Sequence, residues 1–594
     1  MEYSSEFMKK GLSILVCVFA VSCANVDVTR TLTSPNGKIR ISKADCSLEV
    51  SFKSGNVWTE VMTLPVETAF SGKPSKVVSV EYDMVEGKRK HCSNQYRQMH
   101  YTLPDGTGLD IRAYNDGIAW NGSHDCTVDF SEAENNWLLR WSDSYEDFFP
   151  KNRQLIPGLR LAYPALFEYG NGVFSLLSES CIDASNAASS FYFTGTDGVF
   201  DIRPDGEEMP GWQTLIIGTL GDIVESTLIT DNSEPCRLED TSWIEPGVAS
   251  WVYWAYNHGS NDIDIIKRYV DLSVSLGLPY VLIDAEWDEM KDGYTVEDAV
   301  RYAVDKGIKP MIWYSSSIGW INGAPGPKFR LNKPEDRERE FSWCESLGVR
   351  GVKIDFFSGD TNENLAFMTE LLESAAKHHL LVNFHGATTM RGWQRTYPNL
   401  ITAEAVYGAE WYNNLPFMTD RAASHNATLP FTRNVLGSMD YTPCAFSDSQ
   451  HPHLTSNAHE LALTTLFESG MQHLADRPES FLAQPDEVKA YLGNLPAAWD
   501  ETRYISGYPG ESAVLARRSG NGWYIAGING KDESARLDIS ALESLNTEGS
   551  SILLFADGEN PDHPWNISRP SSLSELGESM ECGPRGGFVI LMRR

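Results

Sequence analysis

From about Ser250 to Pro478, brief apolar runs alternate with segments long enough to form a helix. The runs are WVYWA, YVLIDAEW, PMIWYSS, GVKIDFF, LLVNFHG, LITAEAV, TLPFTRNV and HLADRP. Helical patterns fall between them near Ile263 to Leu276, near Val296 to Lys306, through DREREFSWCESLG, from Asn362 to His379, and near Ala458 to Ser469. Apolar strands this short, joined by crossovers this long, predict parallel pairing. Eight such runs over roughly 250 residues predict a closed (β/α)8 TIM barrel. An open doubly wound sheet is the competing topology, and no GxGxxG turn supports it.

The flanks read differently. Residues 24–248 carry alternating runs such as KIRISKA, SLEVSFK, QMHYTLP, LDIRAYN and WLLRWSD, broken by Gly, Asn, Asp and Pro. This predicts an N-terminal β-sandwich. Residues 504–594 return to strand text in SAVLARRS, GWYIAGING, SSILLFAD and GGFVILMRR, predicting a smaller C-terminal antiparallel β domain. Its expected work is packing against the barrel, with carbohydrate binding as the alternative. The whole is therefore a multidomain α+β chain whose barrel occupies residues 249–503.

The first 23 residues form a targeting pattern. Met8-Lys9-Lys10 precedes GLSILVCVFAVSC, a basic start followed by an apolar run too short to remain as a membrane span. AVSC ending at Cys23 resembles a bacterial lipoprotein box; ordinary signal cleavage is the other reading. Either way an exported protein is expected, periplasmic or attached to the outer membrane through a lipidated Cys23.

Composition changes this picture in two respects. A formal net charge of −32 argues against a nucleic-acid partner, which needs clustered Lys and Arg. Ten cysteines, including Cys17 and Cys23, form no CxxC pair, so a zinc site is not expected and disulfide pairing is not legible. Seventeen Trp and 24 Tyr are compatible with stacking sugar rings, although most aromatics of a large protein serve its core. A monomer is the default expectation.

In a barrel the C-terminal strand ends carry the chemistry, because only the βα loops are free to bind and react. Asp355 ends the GVKIDFF strand, His385 ends LLVNFHG, and the LITAEAV strand leads through Glu404 to Glu410. Cleaving a glycosidic bond needs one carboxyl to protonate the leaving oxygen and another to attack carbon or activate water. Asp355 and Glu410 are the candidate pair, with separate rim acids as the bland alternative. Asp284, Trp287, Lys353 and His385 are candidate substrate-binding residues. Glu179, Glu404 and Glu410 could offer hard oxygen ligands to calcium, or be unrelated surface acids. Arg395 and Arg433 are expected to position loops through salt bridges.

Several separated segments resemble glycoside hydrolase family 97: ITDNSEPCRLEDTSWIEPGVASWVYW, GVKIDFF, NFHG with RTYPN, TAEAVYGAE, and SHNATLPFTRNVLGSMDYTPCAF. The resemblance spans nearly the whole mature chain. It implies a β-sandwich, a catalytic barrel and a C-terminal β domain. The family contains inverting members acting mainly on α-glucosides and retaining members acting on α-galactosides. By resemblance, Asp355 matches the retaining nucleophile and Glu410 the acid/base, while Glu179, Glu404 and Glu410 match calcium ligands. Inverting members carry a base Glu after the NxH triplet, where this chain has Gly386, and PMIWYSSS offers no carboxylate where inverters place another base. The DEGW-like segment reads DAEW, so Asp284 and Trp287 match while Ala285 and Glu286 depart. A calcium-dependent, exo-acting retaining α-galactosidase is expected, with arabinopyranosides as tolerated analogues. The alternatives are an inverting α-glucosidase and a non-catalytic sugar-binding lipoprotein.

Overall fold

The computed structural model describes residues 31–122, 126–182, 185–206, 211–545 and 549–594. The signal pattern and Cys23 lie outside the described residues. No described helix is long and apolar enough to cross a membrane.

Residues 31–218 build a 16-stranded antiparallel sheet. Its strands form one continuous ladder that folds over on itself, giving the two packed layers of the expected β-sandwich. Strand Leu48–Ser54 lies across from Trp212–Gly218, and Val57–Leu64 across from Val173–Ser180. Alternation explains the fold: Ile39, Ile41, Leu48 and Val50 are fully buried and meet Phe167, Leu177 and Leu215 from the opposing face.

The barrel strands are β1 (Gly247–Val252), β2 (Tyr280–Ile283), β3 (Lys309–Ser315), β4 (Gly351–Asp355), β5 (Leu381–Phe384), β6 (Leu400–Ala403) and β7 (Met471–Leu474). They pair in parallel in the order β6-β5-β4-β3-β2-β1-β7. Nearly every position is buried, as expected of strands covered on both faces. Helices cross between them with sequence-encoded ends: Asp262 caps Ile263–Leu276 and Gly277, at φ 78°, stops it; Thr361 caps Asn362–Lys377.

The eighth strand expected at TLPFTRNV is not formed. Leu429–Phe431 and Arg433–Leu436 are 3-10 turns, with Pro430 in the first; proline removes a ladder donor. The gap between β6 and β7 is instead closed by residues 438–443, through a single parallel bridge from Ala403 to Met439 and a bond from Ala475 N to Pro443 O (3.0 Å). Arg433 completes the seam by donating to the carbonyls of Ala403 (2.8 Å), Glu404 (3.2 Å), Gly437 (3.1 Å) and Ser438 (3.2 Å). Arg395 likewise donates to the Thr230 and Ser233 carbonyls and packs on Tyr82. Both arginines position loops as expected, but through backbone carbonyls, not carboxylates.

The C-terminal domain is a 6-stranded antiparallel sheet with a 2-stranded ribbon. It docks on barrel helix Asn457–Leu466, where Arg517 donates to the Thr465 and Leu466 carbonyls. Gly587 permits the approach, since a Cβ there would lie 2.8 Å from His459 Cα. Cys92, Cys344, Cys444 and Cys582 are buried thiols.

Candidate active site

A cavity of about 540 Å³ opens at the C-terminal mouth of the barrel. Its lining brings together Asp355, His385, Glu404 and Glu410 from three successive strand ends, and Asp143, Ser144 and Glu146 from a loop of the N-terminal domain. A larger groove of about 720 Å³ lies between Glu225 and the C-terminal sheet, but its Arg503 and Arg518 are already matched by Glu225 and Glu501.

Asp355 is the last residue of β4. Its Oδ2 accepts from Trp313 Nε1 (3.1 Å) and its Oδ1 from Phe356 N (2.8 Å). Burial pushes its carboxyl above the ordinary range, while Lys353 and His385 oppose that shift by favouring the charged form. Lys353 alternates with Val352 and Ile354 on the same strand and makes a buried ion pair with Asp284 (3.1 Å). Asp284 Oδ2 also accepts from Trp251 Nε1 (2.8 Å). Burial opposes the charge on Lys353, but Asp284, Glu410 and Asp355 outweigh it and hold the ammonium protonated.

His385 follows β5. Its Nε2 donates to Asp440 Oδ2 (2.6 Å), which also accepts from Asn383 Nδ2 (2.7 Å) and His473 Nδ1 (2.9 Å). On its other side Nδ1 lies 3.3 Å from Glu404 Oε1 and 3.9 Å from Glu410 Oε2. Burial alone would lower its pKa; Glu404 and Asp440 raise it well above the usual histidine value. Glu404 is fixed by Gly386 N, which donates to its Oε2 (2.8 Å).

Glu410 sits in the turn Ala409–Tyr412, and its side chain is 21 % open to the cavity. Burial, with repulsion from Glu404 and Asp355, pushes its pKa up to about 8 against the pull of Lys353 and His385. Among the described residues its Oε2 has no hydrogen-bond partner. Glu146 approaches from the other domain, accepting from Trp411 Nε1, and is raised well above the carboxylate range by burial and then by Glu404 and Glu410.

Four expected site residues do not line the cavity: Asp284 and Lys353, each 2 % exposed, are paired with each other, and Glu179 and Trp287 are held in other contacts. Glu179, expected beside Glu404 and Glu410, is instead fully buried and bonded to Arg391, Ser189 N (3.0 Å) and Ser189 Oγ (2.8 Å). The donors that converge to within 4.8 Å of one another are those of His385, Glu404 and Glu410. Trp287, expected as a sugar platform, is 2 % exposed; its Nε1 donates to Trp313 O (2.6 Å) and its ring stacks on Trp343. It is core. The aromatics that do line the cavity are Tyr253, Trp320, Phe356, Phe357 and Trp411. Sequence reasoning missed these and Glu146; the adjacency of Trp411 to Glu410 was the one available signal.

Glycosidic bonds are cut between two carboxyl groups, one able to give a proton and one held charged. A barrel rim that brings Asp355 and Glu410 together in one acidic cavity, open at the mouth, defines the class: a glycoside hydrolase. Sequence profiles of known families narrow this further. Glycosyl-hydrolase 97 N-terminal matches residues 32–235, Glycoside hydrolase 97 matches 243–406, and Glycosyl-hydrolase 97 C-terminal, oligomerisation, matches 498–593. The chain belongs to glycoside hydrolase family 97.

A relative from Streptomyces bingchenggensis, named as a probable retaining alpha-galactosidase, is 36 % identical over 79 % of this chain and 76 % of its own. A retaining alpha-galactosidase from Bacteroides thetaiotaomicron is 25 % identical over 99 % of this chain and 100 % of its own. Among solved structures, a beta-arabinopyranosidase superposes with a TM-score of 0.83 at 26 % identity, covering 94 % of this chain and 99 % of that one. A family 97 enzyme from Pseudoalteromonas sp. strain K8, in complex with acarbose, shares the fold at 20 % identity, TM-score 0.80, covering 95 % of this chain and 99 % of that one.

Proposed function

We propose that the protein is an exo-acting retaining α-galactosidase. Glu410, the carboxyl biased toward its acid form, protonates the glycosidic oxygen as Asp355 attacks the anomeric carbon and forms a galactosyl ester. Glu410 then takes a proton from the water that releases the sugar with its original configuration. Lys353, held charged by Asp284, would steady the Asp355 carboxylate from behind the cavity. The observation that carries this reading is Gly386. It leaves no carboxylate for an inverting base, and it faces a carboxylate at 355 held by an indole and a backbone amide. The names of the two relatives agree with it.

Calcium belongs to the same proposal, with an altered ligand set. Glu404 and Glu410, whose oxygens converge beside His385, would hold it, with Glu146 adding negative charge from the other domain; Glu179, bonded to Arg391, would not. The two fit a hard cation: both are oxygen donors, Glu410 and Glu146 have raised pKa values, and Glu410 Oε2 has no described partner. When bound, the ion would supply positive charge that relieves carboxylate repulsion and steadies Glu410.

The test is proton NMR of an aryl α-galactoside during hydrolysis, with the aryl α-glucoside beside it. First appearance of α-galactose is expected. First appearance of the β-anomer, or turnover of the glucoside alone, would return the protein to the inverting reading; no turnover of any glycoside would leave a sugar-binding protein. The beta-arabinopyranosidase neighbour favours adding one substrate, an arabinopyranoside that matches galactose around the ring and lacks only the hydroxymethyl group. We also propose export, on the Met8 to Cys23 pattern. Mass spectrometry of membrane-bound protein should find a lipidated Cys23; an unmodified, soluble amino terminus would mean ordinary cleavage.

A further inference from the structure

Few large apolar side chains stand as far out of this protein as Trp320, which is 59 % exposed. It also has a φ of 39°, a region bulky residues avoid. The segment that holds it is closely fastened. Ser316 N donates to Asp355 O (2.8 Å), and Ser316 Oγ and Gly319 N both donate to Phe356 O (2.8 Å each). Gly319 lies so flat on this strand end that a Cβ there would be 2.7 Å from Phe357 O. The indole meets the Phe356 ring edge-on at 4.7 Å, and Phe356 meets Trp313, the donor to Asp355, at 5.7 Å. The position of the exposed indole is thus tied to that of Asp355.

Trp320 lines the same cavity as Asp355 and Glu410, and the lining also carries the polar groups Asp143, Ser144 and Asn414. At about 540 Å³ the cavity is within the range, about 300–1,000 Å³, of sites that enclose ligands larger than one small group. A pyranose has an apolar C–H face and a hydroxylated rim. A cavity that offers an exposed indole together with polar side chains suits that shape.

We infer that Trp320 is the platform of a subsite for the leaving-group sugar: a hexopyranose packs its apolar face on the indole and turns its hydroxyls toward Asp143 and Asn414. The preferred substrates are then oligosaccharides ending in α-galactose, not simple alkyl galactosides. This rests on the activity proposed above.

The test compares kcat/KM for methyl α-galactoside, whose leaving group has no ring, with that for a galactosyl-α-1,6-glucose disaccharide. Trp320→Ala should lower kcat/KM for the disaccharide by about tenfold, mainly through KM. It should affect methyl α-galactoside turnover and inhibition by free galactose much less than disaccharide turnover, and Trp320→Phe should restore most of the disaccharide loss. Equal losses on both substrates would make Trp320 merely structural and overturn the inference, as would an undiminished disaccharide reaction. A wild-type enzyme that cleaves neither substrate would overturn the activity itself, and the subsite as defined here with it.

Discussion

Gly386 leaves the space into which Asp355 extends. A Cβ at residue 386 would lie 2.9 Å from Asp355 Oδ1 and 2.9 Å from Phe356 N. The glycine cannot easily move aside, because its N–H donates to Glu404 (2.8 Å), its carbonyl accepts from Phe357 N (2.9 Å), and its φ is 50°. A side chain at 386 and the carboxylate at 355 therefore compete for one volume.

The first prediction follows from that competition. Gly386→Ala should displace Asp355 and lower kcat/KM on an aryl α-galactoside by about 10²-fold, the scale of misplacing a reacting group by an ångström. Steady-state kinetics, with circular dichroism to verify folding, decide it. Wild-type activity in this variant would mean that Asp355 needs no such precise seat.

The pH profile should be bell-shaped. Asp355 must be charged to attack, so its raised pKa sets the acidic limb. Glu410 must carry its proton; with its pKa pushed up to about 8 when no cation is beside it, activity is lost as pH rises through that value, and through a lower one when calcium is bound. Glu410→Gln should remove the basic limb. It should cost about 10²–10⁴-fold on a poor leaving group and much less on an activated aryl group. A basic limb that survives in Glu410→Gln would assign the acid elsewhere.

Calcium removal provides a separate reading of the same group. A cation beside Glu410 favours its carboxylate form, so chelation should move the basic limb to higher pH while lowering kcat. It should also lower the thermal midpoint, because a ligand bound to the folded state alone stabilises it. Identical profiles with and without chelator would remove calcium from the site.

Arg391 offers a prediction about stability. It is fully buried and joins Glu179 of the N-terminal domain to Asp360 (3.2 Å) on the loop after β4, while donating to Tyr145 OH (2.7 Å), next to Glu146. Burial opposes its charge, and Asp360, Tyr145 and Glu179 more than restore it. Arg391→Met strands two buried carboxylates and should destabilise the fold by about 3–5 kcal/mol in urea titration. Adding Glu179→Gln should recover part of that loss; no recovery would mean the two residues are not energetically coupled.

The barrel was legible because its strands are buried on both faces and read as solid apolar runs, so Asp355, His385 and Glu404 could be assigned to strand ends. TLPFTRNV carried the same apolar signal, yet Pro430 and the carbonyl contacts of Arg433 made it a turn, which composition alone does not distinguish. Glu179 and Trp287 failed for a shared reason. A carboxylate or an indole at a strand end can face the cavity or the packing beneath it, and partners distant in sequence, Arg391 and Trp343, decided both. Glu146 had no local signal, since its site function depends on two domains meeting.

That last feature has a consequence for how the enzyme is built and altered. Asp143, Ser144 and Glu146 in the cavity lining belong to a β domain, and the rest of the lining to the barrel. Asp355 and Glu410 both lie on the barrel, so the β domain does not supply the reacting carboxyls; its loop completes the cavity around them. The same division lets a change of one β-domain loop retune what the enzyme accepts, with the barrel strands left untouched.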